Sequence, residues 1–315
     1  METTESLQYQ HFMERINRGD RIEAEDWMPP DYRQQLIRLI SMHGISEIMG
    51  ALPEKEWVPK APTLFRKLAI MAKVQDEMGH GQLLIRVAED LMAPLGKGRE
   101  DLMQDLFSGR LKFHNVFHMA TPTWADAGVI GWLVDGAAII TQGMSLSCSY
   151  GPYARALARI VEEEGFHIQH GESICMELAE GTSTQRRMLQ ESIERWWPAL
   201  LMFFGPPEGN QLSTHQQKNL DYKIRSKTNE ELRQKFLTKY VPRIRSLGLI
   251  IPDPTLAQDP VTKVWQYAQP DWTLFRQIVN NQGPRSQARL ALRQMSYEEG
   301  QWVRRVLAIK APVAV

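Results

Sequence analysis

The stretch Ile160-Val-Glu-Glu-Glu-Gly-Phe-His-Ile-Gln-His170 decides how the chain is read. It sets Glu164 and His167 three residues apart in a segment that reads as helix, so both side chains lie on one helical face. The same Glu-x-x-His recurs as Glu77 and His80. A further carboxylate precedes each copy by nearly the same distance: Glu47 by 30 residues (77 − 47) and Asp135 by 29 (164 − 135). With 24 Glu and 8 His in 315 residues, chance alone gives about 0.6 such pairs (24 × 8/315). The pairs therefore carry weight through the acids that precede them.

A spacing near 30 is what two antiparallel helices of about 20 residues and a short connection produce, with the acid on one helix opposite the pair on the next. Four such helices bring four carboxylates and two imidazoles together, which is the dinuclear site of a ferritin-like bundle. The expected fold is all-α: a ferritin-like four-helix bundle with additional C-terminal helices. Residues 1–28 read as an N-terminal arm, 29–204 as the di-metal bundle, and 205–315 as a C-terminal helical extension packed on it. The candidate metal ligands are Glu47, Glu77, His80, Asp135, Glu164 and His167, with Glu47, Asp135 and Glu164 the candidate catalytic carboxylates.

Local signals agree with four long helices. Pro29-Pro30-Asp31 opens the first and Pro53 is expected to stop it. Pro62-Thr63 opens the second, which runs to Gly96. Pro122-Thr123-Trp-Ala-Asp126 is a capped start for the third, ending near Ser149, and Gly151-Pro152 turns into the fourth, ending at Gly181. Asp135 and Glu164 then sit at matching heights. Glu47 lies about five residues before its helix end and Glu77 about 15 into the next, so the linker from Pro53 to Ala61 must climb along the bundle. Beyond it, Pro198 is expected to kink the helix over 182–203, Thr228-x-x-Glu231 is a capping box, and two helices are expected from Asp271 to Lys310.

Taken singly, a mid-helix acid is more often solvated than a ligand. Asp135 differs, because it lies in Gly-Trp-Leu-Val-Asp-Gly-Ala-Ala-Ile-Ile, where an unpaired buried carboxylate costs several kcal/mol and demands a cation or strong donors. His80 and His167 each have an acid at i−3. His114, His118 and His215 do not, and read as core or surface imidazoles. His43, one turn before Glu47, and His170, one turn after His167, are placed to support the ligands. Glycines 79, 81, 136 and 165 flank the ligands and imply close helix packing, room for a site, or both.

The 37 basic and 37 acidic residues balance, so no global charge points to nucleic acid or to an anionic membrane. The longest apolar run, 127–140, contains Asp135 and falls short of the ~20 residues of a membrane span. Two cysteines, no Cys-x-x-Cys and no apolar N-terminal segment fit a reduced cytoplasm. Four carboxylates and two imidazoles suit iron or manganese better than structural zinc. Iron is expected for oxygen chemistry, which consumes two external electrons. The chain carries neither a dinucleotide fingerprint nor a cysteine set for an iron–sulfur cluster, so a reductase partner is expected. The basic stretch Lys218 to Lys227 reads as a solvated face or as a phosphate site for a CoA-type substrate.

Longer motifs add a resemblance. Asp26-Trp-Met-Pro, Ala61-Pro-Thr-Leu, Lys73-Val-Gln-Asp-Glu-x-Gly-His-Gly81, Gly128-Val-Ile-Gly-Trp-Leu-Val-Asp-Gly-Ala-Ala-Ile139, Ser149-Tyr-Gly-Pro-Tyr-Ala-Arg155 and Trp197-Pro-Ala-Leu resemble the catalytic A subunits of bacterial phenylacetyl-CoA epoxidases, over about residues 26–306. That resemblance implies a cytoplasmic, multicomponent di-iron monooxygenase of phenylacetate catabolism. It would convert phenylacetyl-CoA to its ring 1,2-epoxide with O2 and NADPH. It implies the same six ligands for two iron ions, and NADPH, flavin and an iron–sulfur cluster on a partner reductase. It further implies a homologous structural subunit, together with a small bridging subunit. For CoA it implies Arg38, Lys112, Lys223 and Arg225. Met42 and the run Phe113 to Met119 depart from the family pattern and fall on the expected substrate side. Against this stands a non-catalytic ferritin-like structural or iron-binding subunit. A manganese or radical enzyme is a third reading, which the absence of a tyrosine within one turn of a ligand on its own helix weakens.

Overall fold

Proline and capping signals start the helices where the sequence puts them. The computed structural model describes residues 4–208 and 214–310. Helix α1 (Thr4–Arg18) docks through the buried Phe12 and Ile16. Helix α2 spans Pro30–Lys55, with proline at its first position, where the missing N–H has no intrahelical partner to lose. Helix α3 spans Leu64–Met92, and the Thr63 hydroxyl caps it by accepting from the Arg66 N–H at 3.2 Å. A short α4 (Arg99–Phe107) and a 3-10 turn (Asn115–His118) lead to α5 (Trp124–Val129). A π turn over Ile130–Val134 joins α5 to α6 (Asp135–Ser145), and α7 runs Gly151–Glu180. Beyond these lie α8 (Ser183–Met202), α9 (Thr214–Asp221), α10 (Asn229–Ser246), α11 (Trp272–Gln277), α12 (Ser286–Glu299) and α13 (Gln301–Lys310). The fold is an all-α, ferritin-like bundle of α2, α3, α5–α6 and α7 with further helices around it.

Several boundaries differ from expectation. Pro53 does not stop α2, which continues to Lys55; this sets Glu47 eight residues before the helix end (55 − 47) and Glu77 thirteen into α3 (77 − 64). Backbone bonds from Trp57 N to Glu54 O and from Ala61 N to Trp57 O then wind the connection onward along the bundle. The third helix ends at Ser145, its middle opened by the π turn. The tail forms three helices where two were expected, and residues 257–258 and 265–266 pair as a minimal antiparallel ribbon. The side chain of His215 lies outside the described residues.

Two glycines set the height at which the helices meet. A Cβ on Gly171 would run into the backbone of Gly131 and Trp132, and one on Gly131 would lie 3.0 Å from the Gly171 Cα. Four residues beyond Gly131 is Asp135, and four before Gly171 is His167. Because the helices are antiparallel, both steps go the same way and bring these two side chains to one level. Buried Asp126 locks the outer layer: Oδ2 accepts from Thr123 N at 2.7 Å, and Oδ1 accepts from Ser192 Oγ, Arg195 Nη2 and Trp196 Nε1 at 2.8, 2.8 and 3.0 Å. Of the glycines beside the ligands, Gly81 admits Ile48 and the Gly44 carbonyl, and Gly136 admits the Tyr240 ring; Gly79 and Gly165 face open space. Close packing accounts for the first two only.

Gly171→Ala is expected to lower stability by about 1–3 kcal/mol, since two backbones must separate. Gly79→Ala should raise it by up to ~1 kcal/mol, since a solvent-facing helical glycine gains from a Cβ. Denaturant unfolding of the two variants checks this, and equal effects would contradict the packing account.

Candidate metal centre

The bundle brings all six predicted ligands together, and all are buried. One group joins Glu47, Glu77, His80 and Glu164; the other joins Glu77, Asp135, Glu164 and His167; within each, the ligand atoms lie within 4.8 Å of one another. Glu77 and Glu164 belong to both. They therefore stand where a bridging carboxylate would, with one acid and one imidazole left to each side.

Both imidazoles are oriented from behind. His80 Nε2 lies 2.8 Å from Glu163 Oε2, and His167 Nε2 lies 3.2 Å from Asp76 Oδ2. A carboxylate only accepts, so each Nε2 carries a hydrogen; His167 Nδ1 also lies 3.2 Å from Glu164 Oε2 and carries a second one, which it must give up before that nitrogen can ligate. The acid just before each ligand glutamate thus serves the other repeat's histidine. Neither Glu163 nor Asp76 was singled out from the sequence. The signal was there in the paired Asp76-Glu77-x-x-His80 and Glu163-Glu164-x-x-His167.

Two further residues were missed. Lys73 is 1% exposed, and its Nζ lies 2.5 Å from Glu54 Oε2, 2.9 Å from Asp135 Oδ2 and 3.1 Å from Glu77 Oε1. Glu54 is equally enclosed. The available sign was helical spacing, since Lys73 is four residues before Glu77. His43 fulfils its expected supporting role, with Nε2 2.7 Å from Glu47 Oε1 and Nδ1 2.9 Å from the Tyr153 hydroxyl. His170 does not: it stacks on Phe166, and its Nε2 has no partner among the described residues. His118 is a core imidazole bonded to Ser286 Oγ, and His114, half-buried, bonds the Phe203 carbonyl at the edge of the cavity beside the centre; burial pushes His114 down to about 3 and His118 to about 4.

The electrostatics report crowded negative charge. Burial, then Glu77, pushes Glu47 well above the usual carboxylate range, and burial does the same to Asp135 in spite of Lys73. Burial opposes ionisation of Glu77, yet Lys73 and then His167 hold it well below that range. Burial disfavours the His167 cation, but bonds to Glu164 and Glu77 raise it to about 11. The donor set fits two divalent cations by charge. Glu47, Glu54, Glu77, Asp135 and Glu164 contribute five negative charges, Lys73 one positive, and two divalent cations the remaining four.

A cavity of about 170 Å3 opens beside Glu47, Glu77, Asp135 and Glu164. Leu39, Met42, Phe117, Val134 and Phe203 give it an apolar wall, so Met42 and the 113–119 run do border the space expected for substrate. Arg225 is the one cation among the lining residues. Arg38 is exposed, Lys223 Nζ bonds the Asn17 carbonyl at 3.1 Å and Lys112 Nζ the Gly109 carbonyl at 2.6 Å; none of these three lines the cavity. The helical run Trp124–Ser145 is long and apolar enough to cross a membrane by length and composition, but 72% of its apolar window is buried in the bundle.

Comparison with known proteins agrees with this picture. The family model described as phenylacetic acid catabolic protein matches residues 1–302. The chain is 47% identical over 298 residues to the A subunit of the 1,2-phenylacetyl-CoA epoxidase of Escherichia coli strain K12, an alignment covering 94% of each chain.

Two outcomes test the charge balance. Loading the metal-free protein with ferrous or manganous ions near pH 7 should release protons, because Glu47, Asp135 and His167 must give theirs up to ligate; a pH-stat titration with no release would contradict it. Lys73→Met should cost about 3–5 kcal/mol by leaving buried carboxylates uncompensated. Carboxylates raised in the fold favour it only while protonated, so the deficit should grow as pH rises above ~4.3. Unfolding curves at pH 5 and pH 8 measure this, and a pH-independent deficit would count against it.

Proposed function

The chain belongs to the phenylacetic acid catabolic protein family, and on that premise we propose that it is the metal-holding component of a monooxygenase that epoxidises the aromatic ring of phenylacetyl-CoA. The observation that carries this reading is the cavity, whose apolar wall ends on the four carboxylates of the centre. Two iron ions held by Glu47, Glu77, His80, Asp135, Glu164 and His167 would supply oxygen activation. Their electrons would come from an NADPH-dependent flavin and iron–sulfur reductase. A homologous structural subunit, with a small bridging subunit, completes the proposed assembly, and the relative's designation as one lettered component of an epoxidase supports a multisubunit enzyme.

The chain's own residues divide the remaining work. Leu39, Met42, Phe117 and Phe203 would exclude water and hold the ring against the centre. His43 and Gln142 hold Glu47 Oε1 at 2.7 and 3.4 Å, which fixes one carboxylate oxygen while the other stays available to a metal. Asp76 and Glu163 keep the imidazoles in the ligating tautomer. Arg225 is placed to meet the polar, phosphate-bearing part of a CoA thioester. Arg38 stands one turn before Met42 on α2 and would extend the same path outward; Lys112 and Lys223 are more remote candidates. A CoA thioester and a nicotinamide reductant are cytoplasmic compounds, and the unpaired Cys148 and Cys175 suit a reducing compartment.

A single turnover tests the proposal. Iron-loaded, chemically reduced protein, copurified with its natural structural partner, is mixed with phenylacetyl-CoA and 18O2, and the thioester is weighed by mass spectrometry. A product heavier by one labelled oxygen is expected, and Glu164→Ala or Asp135→Ala should abolish it while the helical fold persists. Unchanged thioester from fully iron-loaded protein would overturn the substrate assignment.

A further inference from the structure

The cavity wall has a one-sided stock of hydrogen bonds. Ser46 Oγ donates to the Met42 carbonyl at 2.7 Å, Thr141 Oγ1 to Ala137 at 3.3 Å and Ser145 Oγ to Thr141 at 3.0 Å. These are the bonds to the preceding turn that helical serine and threonine commonly make. His43 Nε2 faces the Glu47 carboxylate and so carries the ring hydrogen, which makes the Tyr153 hydroxyl the donor to Nδ1. His114 Nε2 faces the Phe203 carbonyl, so its hydrogen is committed as well. Every hydroxyl and imidazole lining the cavity has therefore placed its hydrogen on an internal partner; Ser46 Oγ also accepts from the His114 N–H at 3.0 Å, and the Thr141 and Ser145 oxygens keep lone pairs for a ligand. The donors left are the Gln142 amide, already turned toward Glu47, and Arg225, held by Asn229 Oδ1 at 3.1 Å.

Size narrows the choice of ligand. Cavities of about 150 Å3 hold a benzene molecule, and this one offers about 170 Å3. A ring with one small substituent is what remains possible.

Resting on the thioester reading above, we propose that this wall selects among ring substituents by hydrogen-bond polarity. The chamber takes arylacetyl thioesters whose ring carries one small donor, a phenolic hydroxyl or an amino group, in preference to rings bearing a substituent of similar size that donates nothing. A donor here finds the Thr141 and Ser145 oxygens as acceptors, which a fluoro or methyl substituent cannot use; the donors facing an added acceptor are the second Gln142 N–H and the Arg225 guanidinium.

Isothermal titration of the iron-loaded, oxidised protein, which cannot turn over, supplies the test. The ligands are phenylacetyl-CoA and the CoA thioesters of 3- and 4-hydroxy-, amino-, fluoro- and methylphenylacetic acid. At one ring position at least, the hydroxy and amino compounds should bind about tenfold tighter than the fluoro and methyl ones. That ratio should shrink toward one in Thr141→Val or Ser145→Ala. Fluoro and methyl rings binding as well as the donors at both positions would overturn the selectivity and leave the phenylacetyl-CoA reading standing. A donor preference unchanged in both variants would overturn its assignment to this wall. Failure of phenylacetyl-CoA itself to bind would remove the parent reading and this one together.

Discussion

Five carboxylates buried around one lysine constrain everything else in this bundle. Lys73 reaches Glu54, Glu77 and Asp135 at once, but a single ammonium cannot neutralise a cluster that also contains Glu47 and Glu164. Charge without a partner in such surroundings costs several kcal/mol per group. The protein alone can answer only by keeping protons on Glu47 and Asp135 and a positive charge on His167. Two divalent cations answer it with no protons held. Metal affinity, protonation and stability are thus one coupled quantity here.

The scaffold holds that cluster by close approach. Gly131 and Gly171 let two backbones touch, which fixes Asp135 and His167 at one height. Immediately before Asp135 the helix widens into a π turn, a local change that often accompanies a functional side chain. Gly136 admits Tyr240 from α10, and Asp126 ties α8 back to the start of α5. The outer helices therefore bear on the ligand positions through packing and hydrogen bonds, without contributing a ligand.

Much of this was legible in the chain. The repeated Glu-x-x-His with an acid about 30 residues earlier carries its own geometry, because the spacing is a property of two helices and a turn, and the apolar surroundings of Asp135 required a cation. Lys73 and Glu54 were opaque for the opposite reason: each is one charged residue on a helix, and only the approach of α2 to α3 makes them partners. The supporting acids Asp76 and Glu163 hid beside stronger signals. His170 shares its spacing with useful groups but lies one turn along a helix whose exposed side it borders. Pro53 misled because proline in a last turn removes one bond and need not end the helix.

The reachable side of the centre follows from the same arrangement. Toward α3 and α7, the imidazoles and their backing acids fill the space. Between α2 and α6 the residues are of another kind: positions 138, 141 and 145 follow one helical stripe of α6, continued by Val134 at the end of the π turn, and 39, 42, 43 and 46 face them from α2. Leucines on both stripes would close the gap as in an ordinary bundle; Ala138, Thr141 and Ser145 leave it open. Serine and threonine are tolerated there because each satisfies its own hydrogen on the preceding turn. The choice that makes the volume thereby also removes donors from its wall. Glu47, which alone among the ligands comes from α2 and is held by two residues of that wall, is the ligand through which a molecule in the cavity and the metal pair would sense one another.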